Sequence, residues 1–276
     1  MSHSPLLDII INHLINSIMA WVNALHQFSS TPIKLFTASW VVPPPPTKNV
    51  DQVIYIFNGL QASLYDTMPG YNRHFHSSGA SILQPVLSWG AHTGKGWEVS
   101  NYCLTTTPIA GEGDWDPHDV QTGDLITGTI SVAKDASGET VYKLQTDVGD
   151  VKGKIYASYK GTITESKIIK TWESLVGNGI KYVPGTLVFN EAVIVIEAYA
   201  SNHRPPAYLY CDDYPNTPSI TFYSMVLEDS EGGINQDWQK DFLVLKQSGC
   251  TNVNGGNVDT TLGSDGEVKL GVQAKL

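Results

Sequence analysis

An antiparallel, all-β sandwich of two sheets, preceded by one helix, is the fold this chain predicts. Three observations carry that expectation. Beyond residue 30 apolar residues recur at every second position, the repeat of strands with one buried face. Gly, Pro and Asn signals cut the chain into short segments, the punctuation of a sandwich. The helix–strand alternation that a doubly wound α/β fold requires is missing. With 276 residues the chain can bury a large core without disulfides or metals.

Residues 5–28 stand apart. Leu7, Ile11, Leu14, Ile18, Trp21 and Leu25 are spaced by fours and threes, which places them on one helical stripe, while Asp8, Asn12, His13, Asn16, Asn23 and His26 fall outside it. The stretch has no Lys or Arg, and Asn and His interrupt it. It therefore reads as a retained amphipathic helix rather than a secretory signal, and it is too polar to span a bilayer. The expected organisation is a helix in residues 1–30 docked on a sandwich in residues 31–276. A homo-oligomer through that helix is the alternative to docking. A cytoplasmic location is expected, with secretion as the runner-up.

The strands follow in order. Phe36–Val42 is closed by Pro43 to Pro46, because proline cannot donate to a ladder. Val53–Phe57 is expected to stop at Asn58-Gly59. Ser81–Trp89, Trp97–Thr105, Asp124–Val132, Thr140–Thr146, Lys154–Thr162, Thr186–Tyr199, Ser219–Leu227 and Glu267–Val272 complete the set, with turns at Gly94-Lys95-Gly96, Ala136-Ser137-Gly138, Val183-Pro184-Gly185 and Gly255-Gly256. Thr171–Gly177 reads as a short helix. The tail from Ser248 to Gly266 reads as mobile.

Charge narrows the partners. Lys+Arg number 17 against Asp+Glu 27, a net charge of −10, and Arg73 and Arg204 are the only arginines. A nucleic-acid binder or a reader of anionic membranes needs a basic face, so neither partner is expected. Cys103, Cys211 and Cys250 leave room for one bridge, Cys103–Cys211 or Cys211–Cys250, and the odd count suits a reducing compartment equally well. No ligand spacing for a metal is present, so no metal or cofactor is expected; His74 and His76 read as loop residues. Asp66, Asp114, Asp116, Asp212 and Asp213 read as solvated loop carboxylates.

Six segments taken in order resemble the eqolisins, fungal glutamic peptidases built on a concanavalin A-like sandwich. Thr37-Ala38-Ser39-Trp40-Val41-Val42-Pro43 is similar to their early Gly-Thr-Trp-x-Val-Pro strand. Tyr55-Ile56-Phe57-Asn58-Gly59-Leu60 stands where they have Trp-Val-Gly-Ile-Asp-Gly. Ser81-Ile82-Leu83-Gln84-Pro85-Val86 matches Ala-Ile-Leu-Gln-Thr-Gly. Trp97-Glu98-Val99-Ser100-Asn101-Tyr102 falls at an aromatic-rich strand, Val120-Gln121-Thr122-Gly123-Asp124 resembles Ile-Ser-x-Gly-Asp, and Pro218-Ser219-Ile220-Thr221-Phe222 resembles Gly-x-Val-Thr-Phe. The match runs over about residues 36–228.

The resemblance implies a glutamic-type acid endopeptidase. A Glu would act as general base on a water, and the Gln amide would hold that water and the oxyanion. Gln84 is the implied amide. If it faces a concave groove, Ile82 and Val86 share its side and Leu83 takes the other. The family carries its base in Asn-Ala-Glu-Trp-Ile-Val-Glu, against Phe189-Asn190-Glu191-Ala192-Val193-Ile194-Val195-Ile196-Glu197 here. Alignment on the asparagine selects Glu191, and alignment on the last Glu puts Val193 at the catalytic position. Glu191 and Glu197 share one strand face, and either becomes the candidate base, with a bulge needed to restore the family's register. Substrate contacts are expected from Trp40, Trp89, Trp97 and Glu98, and from the Pro-rich loop carrying Tyr208, Tyr210 and Tyr214. Two other readings stand beside hydrolysis of peptides: a lectin-like binder of carbohydrate, and an enzyme doing acid/base chemistry on a small apolar substrate. An apolar plug in the groove would favour these two.

Overall fold

The computed structural model describes residues 20–47, 52–62, 81–91, 96–104, 112–176, 187–199, 215–217, 219–233, 238–240 and 267–271. Their alternating pattern resolves into fourteen strands and one helix. In chain order the strands are β1 (Ala20–Phe28), β2 (Ile33–Val41), β3 (Val53–Ala62), β4 (Ser81–Trp89), β5 (Trp97–Leu104), β6 (Glu112–Gly113) and β7 (His118–Val120), then β8 (Leu125–Lys134), β9 (Thr140–Gly149) and β10 (Ile155–Thr164). Helix α1 (Glu165–Val176) follows, and then β11 (Phe189–Tyr199), β12 (Ser219–Asp229), β13 (Gln239–Lys240) and β14 (Val268–Gly271). Sheet 1 runs β13-β1-β11-β3-β4-β5-β7 and sheet 2 runs β14-β12-β2-β8-β9-β10-β6. The pairings between these strands are antiparallel.

One core fills the space between the sheets. Ile54, Ile56, Leu60, Leu83, Leu87, Val99, Ile194 and Ile196 from sheet 1 meet Phe36, Ala38, Trp40, Ile126, Ile130, Leu144 and Phe222 from sheet 2. Where the sheets approach most closely, Gly128 of β8 lies under Asn58 and Pro85. A Cβ on Gly128 would stand 2.3 Å from Asn58 Oδ1 and 2.9 Å from Pro85 Cβ. The Asn58 amide donates to the Gly128 carbonyl at 3.2 Å, which satisfies one end of a polar side chain with no exposure.

Two ties hold the sheets to each other. The first is the strap between β6, which belongs to sheet 2, and β7, which belongs to sheet 1. The Trp115 ring lies against Gly161, where any Cβ would collide with it. His118 bonds Asp114 at 2.8 Å and stacks on Tyr159 with centroids 3.8 Å apart. Beneath the strap, Asn101 of β5 donates to the carbonyls of Tyr159 and Asp114 and accepts from Thr146 at 2.9 Å. The second tie is Asp229 at the end of β12. Its carboxylate accepts from Ser29 and Thr31 on the β1–β2 crossover and from the amides of Glu231 and Gly232. These bonds hold its acid well below the usual carboxylate range, the Thr31 hydroxyl being the largest cause.

Several expectations change. Residues 20–28, expected to be helical, form β1, which pairs with β11 from Ala20↔Ala198 to Phe28↔Glu191 and with β13 on its other side. The sandwich therefore begins before residue 31. The free edge of β11 needs backbone partners, and that tertiary demand overrides a helical spacing in a segment rich in Trp, Val and Phe. Residues 5–19 lie outside the described residues. The expected stop at Asn58-Gly59 is instead the middle of β3, where Asn58 serves the opposite sheet and Gly59 makes room for neighbours. The short helix begins at Glu165, well before Thr171, because Thr164 caps it: its hydroxyl accepts from the Lys167 amide at 3.3 Å. The strands β1, β6, β7 and β13 were not expected as strands at all. β6, β7 and β13 have two or three residues each, too few to show a period of two, and β1 carries the spacing of fours and threes that reads as a helix.

Two predictions follow from this packing. Gly128→Ala overpacks the Asn58–Pro85 contact and costs about 1–3 kcal/mol, measured by urea denaturation. Ser224 has φ of 51°, inside the bulge between Tyr223 and Val226. Ser224→Val, a β-branched residue in the left-handed region, should lower stability by about 1–2 kcal/mol, whereas Ser224→Gly should hold or raise the melting temperature.

Candidate functional site

The outer face of sheet 1, turned away from the core, carries the expected site. Strand register lays it out as rows crossing the strands. Phe57 pairs with Val86 and Leu60 with Leu83, so Gly59 stands opposite Gln84. Val193 pairs with Gly59, and Gln84 pairs with Tyr102. The central row is thus Val193, Gly59, Gln84, Tyr102. On one side lies the row Glu191, Gln61, Ile82, Leu104. On the other side come Val195, Phe57, Val86, Ser100 and then Glu197, Tyr55, Ser88, Glu98.

Phe57, Val86, Val193 and Val195 form an apolar cluster separate from the main core, with Tyr55, Ile82 and Tyr102 packed against it. As expected, Ile82 and Val86 share the side of Gln84, and Leu83 lies in the core. Gly59 has a steric reason to lack a side chain, since a Cβ there would sit 3.1 Å from a Val193 methyl and 3.2 Å from Ile82 Cδ1. Those two apolar groups close the space over Gly59.

A bulge positions the glutamates. Phe189 pairs with Ala62 and Glu191 with Gln61, so Asn190 is the extra residue. It lets Phe189 enter the core, edge-on to Tyr142 at 4.8 Å, while Glu191 takes the outer face. The bulge precedes Glu191 and does not bring it level with Gln84. From strand spacing and rise, the Cα of Gln84 is about 10 Å from that of Val193, about 12 Å from Glu191 and about 17 Å from Glu197. The residue of β11 level with Gln84 is Val193, and Glu191 stands one row away.

The polar groups on this face are deeply buried. Gln84 is 4% exposed, Glu98 1%, Glu191 4% and Glu197 8%. The Gln84 Oε1 atom is buried without a hydrogen-bond partner, which leaves an acceptor that a ligand's donor would satisfy. Burial raises the Tyr55 phenol well above its ordinary range, with added push from Tyr102 and Glu197. Burial likewise raises Tyr102, with a bond from Ser100 opposing and Glu98 adding. These groups therefore lie within electrostatic reach of one another across the face, and Tyr55, Tyr102 and Gln61 join the candidates. Counting two residues along each strand from Gln84 would have found them, had the pairing been known.

The remaining expected residues fall elsewhere. Trp40, Trp89 and Trp97 do not line the face: Trp40 packs against Phe222 with the rings tilted, centroids 5.3 Å apart, Trp89 meets Trp97 edge-on at 5.4 Å, and all three sit in the core between the sheets. Their odd or even places in β2, β4 and β5 turn them inward. Tyr208, Tyr210, Tyr214, His74, His76, Asp66, Asp212 and Asp213 lie outside the described residues. Cys103 is a free, buried thiol pushed up to about 12 by burial; Cys211 and Cys250, and with them the expected bridges, lie outside the described residues. Among the described residues no cluster could hold a metal, and no helix is long and apolar enough to cross a membrane.

Raised phenol pKa values give a signed prediction. A phenol that keeps its proton longer when folded contributes stability below pH 10, and that contribution is lost as pH rises above 10, where only the unfolded chain ionises. Tyr55→Phe should flatten the alkaline fall in stability, measured by urea denaturation between pH 8 and 12.

No protein-family model matches the sequence, and no curated protein sequence matches it. Solved structures do share the fold. Scytalido-glutamic peptidase with a transition state analog inhibitor is similar with TM-score 0.50 and 12% identity, covering 92% of this chain and 98% of that one. SCP-B, a member of the Eqolisin family of peptidases in a complex with the tripeptide Ala-Ile-His, is similar with TM-score 0.50 and 11% identity over the same shares. The chain has the two-sheet sandwich fold of the eqolisin glutamic peptidases.

Proposed function

We propose that the outer face of sheet 1 is a site for a small, largely apolar ligand carrying a hydrogen-bond donor, and that it does not run hydrolysis by a Gln/Glu pair. The observation that carries this reading is Val193, an apolar residue level with Gln84 across Gly59, which closes with Ile82 over Gly59. The apolar cluster of Phe57, Val86, Val193 and Val195 supplies the floor. The unpartnered Gln84 carbonyl supplies the acceptor, and Tyr55 and Tyr102 supply phenols that stay protonated at neutral pH. The carbohydrate reading loses the three tryptophans Trp40, Trp89 and Trp97 as stacking platforms, because they are in the core.

A second reading keeps peptide hydrolysis, with Gln84 holding the water and Glu191 as base. Its support is that both stand on one face, a single row apart. The sandwich itself argues for neither, since one fold carries many chemistries.

Cleavage of an unfolded protein substrate from pH 2 to 7 separates the two readings. Wild type, Gln84→Ala, Glu191→Gln and Glu197→Gln should all be inactive while folded. In the same preparations, benzyl alcohol should raise the melting temperature more than toluene does, and Gln84→Leu should erase that difference. Acid cleavage by wild type that is lost with Gln84 and one glutamate would sink the ligand-site reading and name the base.

A further inference from the structure

Sheet 2 ends on an edge that is only partly closed. Beyond β10 lies β6, which pairs with Gly161 and Thr162 alone, and the Asp114 amide reaches the Lys160 carbonyl at 2.7 Å. Among the described residues nothing pairs with Ile155–Tyr159 on that side. The Lys160 carbonyl faces the strap, and antiparallel backbone groups alternate sides, so the N–H and C=O of Ser158 point to the same open edge. Among the described residues, three of the four exposed large hydrophobics sit here: Val151 at 66%, Ile155 at 59% and Tyr156 at 56%.

The charge around this strip runs against that of the chain. Lys152, Lys154 and Lys160 are all exposed, in a protein of net charge −10. The β9–β10 hairpin carries four lysines, Lys143, Lys152, Lys154 and Lys160, against two acids, Asp147 and Asp150, which keep their charge while hydrogen-bonded, so it is positive by two. Asp150 accepts from the amides of Lys152 and Lys154 at 2.9 and 3.0 Å, and from the Tyr156 hydroxyl. Asp147 accepts from the Gln145 amide. Lys154 Nζ lies 5.7 Å from the centre of the Tyr156 ring. The edge therefore offers backbone donors and acceptors, apolar side chains, and cations.

From this we propose that the β10 edge docks an extended, acidic segment of a partner protein, which adds to sheet 2 as a further strand. Main-chain bonds to Ser158 would hold the segment, its alternate apolar residues would cover Ile155 and Tyr156, and its carboxylates would meet the lysines. A second copy of this chain fits less well. Antiparallel self-pairing of Tyr156 with Ser158 sets Lys154 opposite the second copy's Lys160 at both ends, and like charges directly opposite are destabilising. The bulge between Ile155 and Ala157 adds to that barrier. The strip lies on the sheet that does not carry the Gln84 site, so its failure and that of the proposed function are separate results.

The test uses the full chain and three capped, fluorescein-labelled octapeptides read by anisotropy: alternating Glu and Val, alternating Lys and Val, and the Glu–Val peptide N-methylated at alternate residues. The Glu–Val peptide should bind about 10-fold or more tighter than the other two, and the double variant Lys154→Glu, Lys160→Glu should lose about 10-fold of that affinity. Both lysines are exposed, and circular dichroism checks that the variant stays folded. Tyr156→Ser should weaken the Glu–Val peptide as well. Equal affinity for the Glu and Lys peptides, or binding that survives N-methylation, would overturn the proposal, as would no binding of any peptide. A concentration-dependent dimer abolished by Tyr156→Ser would also overturn it, because the occupant would then be a second copy.

Discussion

Because side chains alternate along a strand, a one-residue slip of β11 against β3 would carry Glu191, Val193, Val195 and Glu197 into the core and expel Ala192, Ile194 and Ile196. The bulge at Asn190 is where that register is set. On its far side Phe189 is drawn into the core against Tyr142, and on its near side Ile194 and Ile196 fill the space between the sheets. Burying those residues outweighs the one irregular step in the ladder. β11 also lies between β1 and β3, so its register is transmitted to both neighbours. The composition of the outer face follows from this constraint rather than from the chemistry of any one residue on it.

Seen this way, the outer face combines features that oppose each other. Phenols are buried beside valines, where desolvation favours the protonated form, and every buried polar group on the face needs a partner to be tolerated. Tyr55 and Tyr102 stay protonated. Gln84 meets the need for a partner only in part, since its carbonyl is left over. A fold built purely for stability would replace such an acceptor with an apolar side chain, so the retained amide is a specific feature of this chain.

Much of the architecture was legible from the sequence, and the failures have physical causes. β4 has the ends expected for it, because a short, nearly continuous apolar run from Ser81 to Trp89, buried on both faces, is followed by Gly90. The side on which Gln84 lies followed from parity alone. The identity of a residue level with it did not, because that depends on pairing between strands distant in the chain. Residues 20–28 were misread because fours and threes can also be scanned as rough alternation, and only the unpaired edge of β11 decides between them. Asn58-Gly59 looked like a turn because those residue types make turns when isolated. Inside the sandwich, Asn58 instead spends its amide on the Gly128 carbonyl. The tryptophans of β2, β4 and β5 were assigned to the groove on the strength of their chemistry, when their parity already turned them toward the opposite sheet.

The clasp at Asp229 joins residues 200 positions apart in the chain, through its bond with Ser29. β1, beside that clasp, finds its main partner in β11. Contacts of such long range come late in folding, since the entropy of closing the intervening loop is lost before the contact repays it. During synthesis β1 waits, its edge unpaired, until β11 at Phe189–Tyr199 has followed it out of the ribosome. A chain built this way is exposed to aggregation for most of its translation, and slowing synthesis lengthens that exposure.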